Sequence, residues 1–458
     1  MENNSKTKKT ISRRSFVQHQ LTGIIGTALL PTFLDSCSGW KGANDRITVG
    51  HIGVGDRGTS ELMTYFLPLR NALNVAVCDA FKVRRENAAS KINQFYKEND
   101  SSSDVCKAYL DMDELLERKD IDAIHITTPD HWHVLAAIKA ARAGKHVMVA
   151  KPLGLSYPQN LVLAKEVKNN NVKFHYGTQQ RSYEHMQLGY NMIRNGLIGE
   201  IGHVDVWAPG KGNETSPSCN ELAVPADFDF DRWTGPAPLR TYCPELVTNL
   251  SSWFINDYSI GFLAGWGAHP LDILVWILKD KVNGNYSCEG TGQYWPAGGL
   301  WNNIMSWDVL CKYQNGLEVH FASADVAMKG MLDHRKSKDS DGTTFYGTKG
   351  WISLSRSSVQ SNIPEIDQKL NNFPKNEKGL IKSEMNTMGK RFISVIRGEE
   401  KELSPLDEAI ISDTISHMGD IAIRTGRKVT WDPEQGHVIA DPEADKLYSR
   451  VMRPPYLL

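Results

Sequence analysis

Between Ile47 and Asp79 lie residues whose types and spacing suit one kind of chemistry, the grip on a dinucleotide. Ile47, Val49 and Ile52 supply an apolar strand, and "GVGDRG" follows, with Gly53, Gly55 and Gly58 spaced G-x-G-x-x-G. Each glycine has a separate physical task. The first makes a tight turn, the second lets the backbone approach a pyrophosphate, and the third lets helix and strand pack closely. The helix that starts there turns its N–H groups and positive dipole end toward the phosphates. Val54, Asp56 and Arg57 complete the loop. A second apolar run, "LNVAVCDA", ends in Asp79, about twenty residues on, where an acid can take the ribose hydroxyls. That favours NAD. Arg84 and Arg85 follow closely and could meet a 2′-phosphate, so NADP stays open. Asp79 could also cap the helix in "FKVRRENAASKI", and the two roles are compatible.

Such a loop is held in place by alternating strands and helices, and the chain supplies them. "IDAIHITTP" reads as a strand, "HWHVLAAIKAARAG" as a helix closed by Gly144, and "KHVMVAKP" as a strand. "SYPQNLVLAKEVKNNN" reads as a helix with Leu161, Ala164 and Val167 on its apolar side, and "VKFHYGTQQ" as a strand. This alternation predicts βαβ units and a doubly wound parallel sheet over residues 45–178. "NDSSSD" at 99–104 reads as a surface loop. Past about residue 200 the strand-like runs "GHVDVWA", "SWDVLCKY", "LEVHFASA", "TTFYGT" and "WISLS" come without regular helices between them. A last helix, "SPLDEAIISDTISHMGDIAIRTG", has a start at Ser404 and Pro405 and a stop at Gly426.

The bulk numbers bound the function. A chain of 458 residues is too long for one ordinary core and predicts two or three domains. Hydrophobic residues make up 41% and charged residues 23%, with a net charge of −1, so neither nucleic acid nor an anionic membrane surface is expected as the main partner. Twelve tryptophans are compatible with a sugar site, although structural tryptophans are commoner. Cys37, Cys78, Cys106, Cys219, Cys243, Cys288 and Cys311 form no CxxC pair, so no zinc-ribbon or thioredoxin-like site is expected.

The first 44 residues read as an export segment and linker. A polar, basic start leads to Arg13 and Arg14, then to an apolar run from Leu21 to Leu34 that is too short to span a bilayer. Twin arginines before a weak apolar run resemble a twin-arginine (Tat) signal. "LDSC" resembles a lipobox, which would make Cys37 a lipid anchor, although Asp35 fits that box poorly. Delivery by the Tat machinery to the periplasm or cell envelope is the expectation.

"GVGDRG", "TTPDHWH", "AKPLGLS", "GTQQRS" and "GWGAHPLD" occur in the order found in the glucose–fructose oxidoreductase, inositol dehydrogenase and MocA (Gfo/Idh/MocA) family. "RWTGPAPLR", "GTKGWISLSR" and "GRKVTWDPE" resemble segments of an exported bacterial branch. The resemblance covers nearly the whole mature chain. It implies a C-terminal α+β substrate domain over 179–458, with an open, mostly antiparallel sheet facing the nicotinamide and the last helix packed back on the first domain. A homo-oligomer is also expected.

The resemblance implies roles for particular residues. Lys151 matches the lysine of an E-K-P motif, followed by Pro152, and would act on the reacting hydroxyl or the nicotinamide edge. Ala150 stands where that motif has glutamate. His269 matches the general base or proton relay, and Gly265 stands where some members carry a partner aspartate. Thr127, Thr128, Pro129, His131 and His133 would pass beneath the nicotinamide ribose, with Gln179 nearby. Arg181, Tyr258 and Asp272 are candidate substrate contacts. His131 and His133 lack a third ligand, so no metal is expected.

These residues predict NAD(P)-dependent hydride transfer from a sugar or sugar derivative. An exported enzyme has no pool of free NAD, so a tightly bound cofactor must be reoxidised in place or get its hydride back. The first case is a sugar oxidoreductase. The second is an NAD-dependent glycosidase working by oxidation, elimination, addition and reduction. A non-catalytic sugar- or cofactor-binding protein is the remaining reading.

Overall fold

The computed structural model describes residues 46–99, 105–210, 215–248, 250–336, 338–371 and 387–458. Arg13, Arg14, Cys37 and the serine-rich loop lie outside the described residues.

Six parallel strands form the first sheet: β1 (Ile47–Ile52), β2 (Ala72–Cys78), β3 (Lys107–Tyr109), β4 (Ala123–Ile126), β5 (His146–Ala150) and β6 (Phe174–Gly177). Their order is β3-β2-β1-β4-β5-β6. The chain moves outward in one direction through β3, then returns to β4 and moves the other way. The strand order therefore reverses between β1 and β4, which opens a crevice at their carboxyl ends. The inner strands are buried on both sides because helices cover both faces, as in β4, whose four residues are all buried, His125 among them paired to Glu61. Helix α1 (Asp56–Glu61) leaves the glycine turn and runs on through a π-helical turn, Leu62–Phe66. Helices α2 (Lys82–Asn99), α3 (Asp130–Arg142) and α4 (Tyr157–Asn169) make the later crossovers.

The second sheet contains β7 (Ile201–Ala208), β8 (Tyr286–Tyr294), β9 (Ile304–Tyr313), β10 (Glu318–Ser323), β11 (Gly342–Gly347), β12 (Gly350–Leu354), β13 (Val359–Ser361), β14 (Val429–Asp432) and β15 (His437–Val438). Its order is β13-β12-β11-β7-β10-β9-β8-β14-β15. Neighbours run antiparallel except β7 and β10, which are parallel. Period-two patterning shows why this sheet has one core face. In β10, Val319 and Phe321 are buried while Glu318 and His320 reach the other side. Helices α5 (Ala268–Val282) and α6 (Leu406–Thr425) lie on the covered face. Helix α6 also meets the first sheet's helices: Asn160 Nδ2 of α4 donates to Asp413 Oδ2 at 2.8 Å.

Candidate active site

A cleft of about 870 Å³ runs along the β1–β4 crevice and continues under the second sheet. Its first half is made by the glycine turn. Gly53 has φ +84°, and a Cβ there would sit 2.6 Å from the Thr128 amide nitrogen. A Cβ on Gly58 would lie 2.1 Å from the Gly53 carbonyl oxygen. Protein packing alone demands these two glycines. Gly55 differs: a Cβ there would meet only the Arg84 guanidinium, at 3.4 Å, and would otherwise project into open cleft. That cradle fits a pyrophosphate, which needs the backbone bare at this position. Asp56, Arg57, Thr127, Thr128, Pro129 and His133 also line the cleft. Val54 contributes only backbone: its side chain is buried, and its N–H donates to Asp79 Oδ2 at 2.9 Å.

Asp79 lines the cleft and braces the turn. Its other oxygen accepts the Phe81 N–H at 2.9 Å. Burial pushes its carboxyl pKa up, and the two N–H bonds and Arg84 oppose that. The two arginines after it part company. Arg84 lies over the Phe81 ring at 4.1 Å and faces the cleft, whereas Arg85 turns back to the carbonyls of Asp79 and Ala80. Of the two, Arg84 alone lines the cleft.

Two expected cofactor contacts lie elsewhere. The chain turns into a 3-10 helix at Gln180–Ser182, which draws the Gln179 side chain inside and leaves Gly177 at the cleft. His131 is buried, its Nε2 facing the Trp233 carbonyl at 3.0 Å and its ring packed on Tyr258.

The second half of the cleft holds Lys151 and His269. Lys151 follows β5, and its ammonium donates to the Gly265 carbonyl at 2.7 Å. Nζ also lies 4.4 Å from the Trp253 ring centre and 5.5 Å from that of Trp266, within cation–π range. Burial lowers its pKa to about 8, while Asp130 pulls upward. Asp130, which opens α3, accepts the Ser259 hydroxyl at 2.7 Å and the Trp253 indole N–H at 3.1 Å. Two carboxylates, Asp130 and then Glu61, oppose the effect of burial on Lys151, and Glu61 is held by Arg57 at 2.6 Å. His269 is the second residue of α5. Burial, then the charges of Arg356, Lys151 and Arg57, hold its pKa well below the ordinary value, and its Nδ1 has no hydrogen-bond partner. Among the described residues, no group of three or more His, Cys, Asp or Glu side chains is placed to hold a metal.

Three expected substrate contacts are structural. Arg181 and Asp272 are fully buried and paired at 2.5 Å, and Arg181 also meets Glu408 while Thr178 donates to Asp272. Asp272, one turn of α5 beyond His269, belongs to this pair and does not line the cleft. Tyr258 has no exposed surface and packs on His131 and Trp233 behind the cleft wall. Trp253, Trp266, Asp130 and Arg356 line the cleft without having been singled out. Asp130, Trp266 and Arg356 lie inside quoted motifs; Trp253 carries no local signal.

Residues within 215–248 and 250–258 roof the cofactor half. Phe228 stacks on Phe81 with ring centres 3.8 Å apart, and Arg232 pairs with Asp111 at 2.9 Å. The Trp132 indole N–H donates to the Trp233 carbonyl at 3.0 Å. It packs so tightly on Gly235 that a Cβ there would fall 2.2 Å from the ring. From the C-terminus, the Tyr456 hydroxyl donates to Asp231 at 2.8 Å. A disulfide joins Cys219 to Cys243 across this roof, a pairing the cysteine spacing did not reveal.

Residues 47–178 match the family model described as "Oxidoreductase family, NAD-binding Rossmann fold", and residues 211–458 match "Oxidoreductase family, C-terminal alpha/beta domain". The chain belongs to the Gfo/Idh/MocA oxidoreductase family. Within it, the chain is 33% identical over 162 residues to a protein of Shewanella putrefaciens named "Glycosyl hydrolase family 109 protein", covering 35% of this chain and 34% of that one. It is 34% identical over 160 residues to a protein of the same kind from Shewanella sp. strain ANA-3, again covering 34% of each. The chain thus spans about a third of the length of these curated relatives. The Gfo/Idh/MocA fold is shared with scyllo-inositol dehydrogenase of Lactobacillus casei, solved with NAD(H) and scyllo-inositol. That match has a TM-score of 0.56 and 15% identity, covering 84% of this chain and 99% of that one. The WlbA dehydrogenase of Bordetella pertussis, solved with NADH and UDP-GlcNAcA, gives a TM-score of 0.60 at 15% identity, covering 85% and 98%.

Proposed function

We propose that the chain is an exported NAD-dependent oxidoreductase that draws a hydride from a sugar hydroxyl carbon onto a tightly held cofactor. One observation carries this reading: Lys151 and His269, from two different sheets' borders, line the same cleft as the glycine cradle. The cofactor, when bound, supplies a hydride acceptor. The residues supply the rest. Lys151, as ammonium, holds the sugar oxygen as negative charge develops on it. His269, neutral at pH 7, takes the hydroxyl proton on its ring. Trp253 and Trp266 offer apolar faces to the C–H side of a sugar ring.

Tight retention is supported by the roof over the cofactor half, and export by its disulfide, since disulfides persist in oxidising compartments. Arg13 and Arg14 would direct export of the folded, loaded protein, with Cys37 as a candidate anchor. Replacing both arginines with lysine leaves the protein in the cytoplasm on this reading; unchanged delivery to the envelope overturns it.

A second reading is favoured by the relatives' name. In a glycoside hydrolase on this frame, carbon 3 of the sugar is oxidised, the neighbouring proton is lost, the leaving group departs, water adds and the hydride returns. Absorbance at 340 nm separates the two. Protein carrying its cofactor is mixed with a panel of sugars and glycosides. A lasting rise that a second sugar discharges supports the oxidoreductase. A transient rise with steady release of reducing sugar supports the hydrolase. No change with any member of the panel overturns both.

A further inference from the structure

Arg356 sits in the turn between β12 and β13, and its side chain reaches the catalytic half of the cleft beside His269 and Trp266. Its guanidinium carbon is 5.7 Å from the Trp266 ring centre. Nε and Nη2 are both buried and make no hydrogen bond. Two arginines whose side chains are wholly buried behave differently. Arg181 donates to Asp272, Glu408 and the Leu403 carbonyl, and Arg335 donates to Asp339 and Ser358. A buried charged donor without an acceptor costs folding free energy, so a fork left open in this way is strained electrostatically until something fills it.

Among the described residues, the one carboxylate paired with Arg356 within 4.0 Å does not fill it. Asp341 Oδ2 stands 3.8 Å from Nε, beyond hydrogen-bond range, and accepts instead from Gln180 at 2.7 Å. Two further acids of the cleft, both acting on Lys151, are engaged as well: Glu61 with Arg57 and His125, and Asp130 with Ser259 and Trp253. Lys151 donates to a neutral carbonyl. Positive charge from Lys151 and Arg356 therefore faces the space beside His269 without a committed counter-charge.

We propose that the substrate is an anionic sugar, whose carboxylate or equivalent oxyanion is received by the guanidinium fork of Arg356 while Lys151 and His269 act on a ring hydroxyl. A planar, two-oxygen acceptor matches the guanidinium edge, where two parallel N–H bonds add specificity as well as strength. A sugar acid of the uronate type is the first candidate. Sulfate and phosphate esters share the chemistry and are separated by experiment. This inference rests on the sugar-oxidoreductase reading for its choice of ligand.

The test uses the cofactor-loaded protein. Binding is read from tryptophan fluorescence, with Trp253 and Trp266 as reporters, and reduction from absorbance at 340 nm. The probes are glucuronate, galacturonate and mannuronate, the 6-sulfates and 6-phosphates of the same sugars, and the neutral parents. At least one anionic member should bind tenfold or more tighter than its neutral parent, and the fluorescence response should be larger with the carboxylates than with the esters. Arg356→Gln should erase the difference, and Arg356→Lys should restore only part of it. Equal binding of acids and parents, or no binding of any acid, overturns the inference without needing a variant. Preference for esters over uronates keeps the oxyanion and rejects the uronate. Arg356-dependent binding with no change at 340 nm would uphold the anion site and overturn the oxidoreductase reading. Reduction by neutral sugars alone would do the reverse.

Discussion

The Lys151 ammonium donates to the carbonyl oxygen of Gly265 at 2.7 Å. This bond ties the end of β5 to the segment that leads into α5, and so to His269, four residues beyond the glycine. Gly265 has no side chain to offer as a partner acid, yet its backbone carbonyl holds the Lys151 ammonium.

Lys151 has its pKa lowered to about 8, chiefly by burial. If its ammonium holds the sugar oxygen, activity is present below that pH and is lost as pH rises through it. The alkaline fall in kcat/KM should therefore centre near pH 8. Lys151→Met should remove that fall and lower the rate by about 10²–10⁴ with cofactor still bound. Rate against pH on a substrate that reduces the bound nicotinamide checks both.

Asp130 raises the Lys151 pKa and fixes the Trp253 ring. Asp130→Asn takes away the charge and keeps the shape. The Lys151 pKa should then fall further, so the alkaline limb should move to lower pH, with Trp253 emission altered. A role in stability alone would lower the melting temperature and leave the limb in place.

Gly55→Ala and Gly58→Ala should separate binding from folding. At Gly58 the new Cβ would press on a backbone carbonyl, and a loss of about 1–3 kcal/mol in urea unfolding is expected. At Gly55 it meets only the tip of Arg84, so stability without cofactor should stay within about 0.5 kcal/mol. Cofactor content after purification should nevertheless drop sharply.

Asp272→Asn should act on stability and leave substrate KM unchanged. It would leave the buried Arg181 short of its main counter-charge, and breaking such a pair costs about 3–5 kcal/mol. Denaturant unfolding measures the loss, and a KM on the folded fraction shows that the pair lies outside the substrate path.

Local spacing determined the first half of the site. Gly53, Gly55 and Gly58 act through the backbone of one turn, and Asp79 braces that turn from the next strand, so their roles follow from short-range geometry. Alternating and helical periodicities likewise announced both sheets, because each pattern reflects which face of an element is buried. Tertiary structure decided the rest. Arg181 and Asp272 are 91 residues apart, and nothing in either neighbourhood tells that each is the other's counter-ion. Asp130, Lys151, Trp253, Gly265 and Arg356 come from five separate places in the chain and meet only when the second sheet closes on the first. Burial, which sets the charge state of Lys151 and His269, exists only once those elements have packed, since desolvation belongs to the folded surroundings and not to the residue.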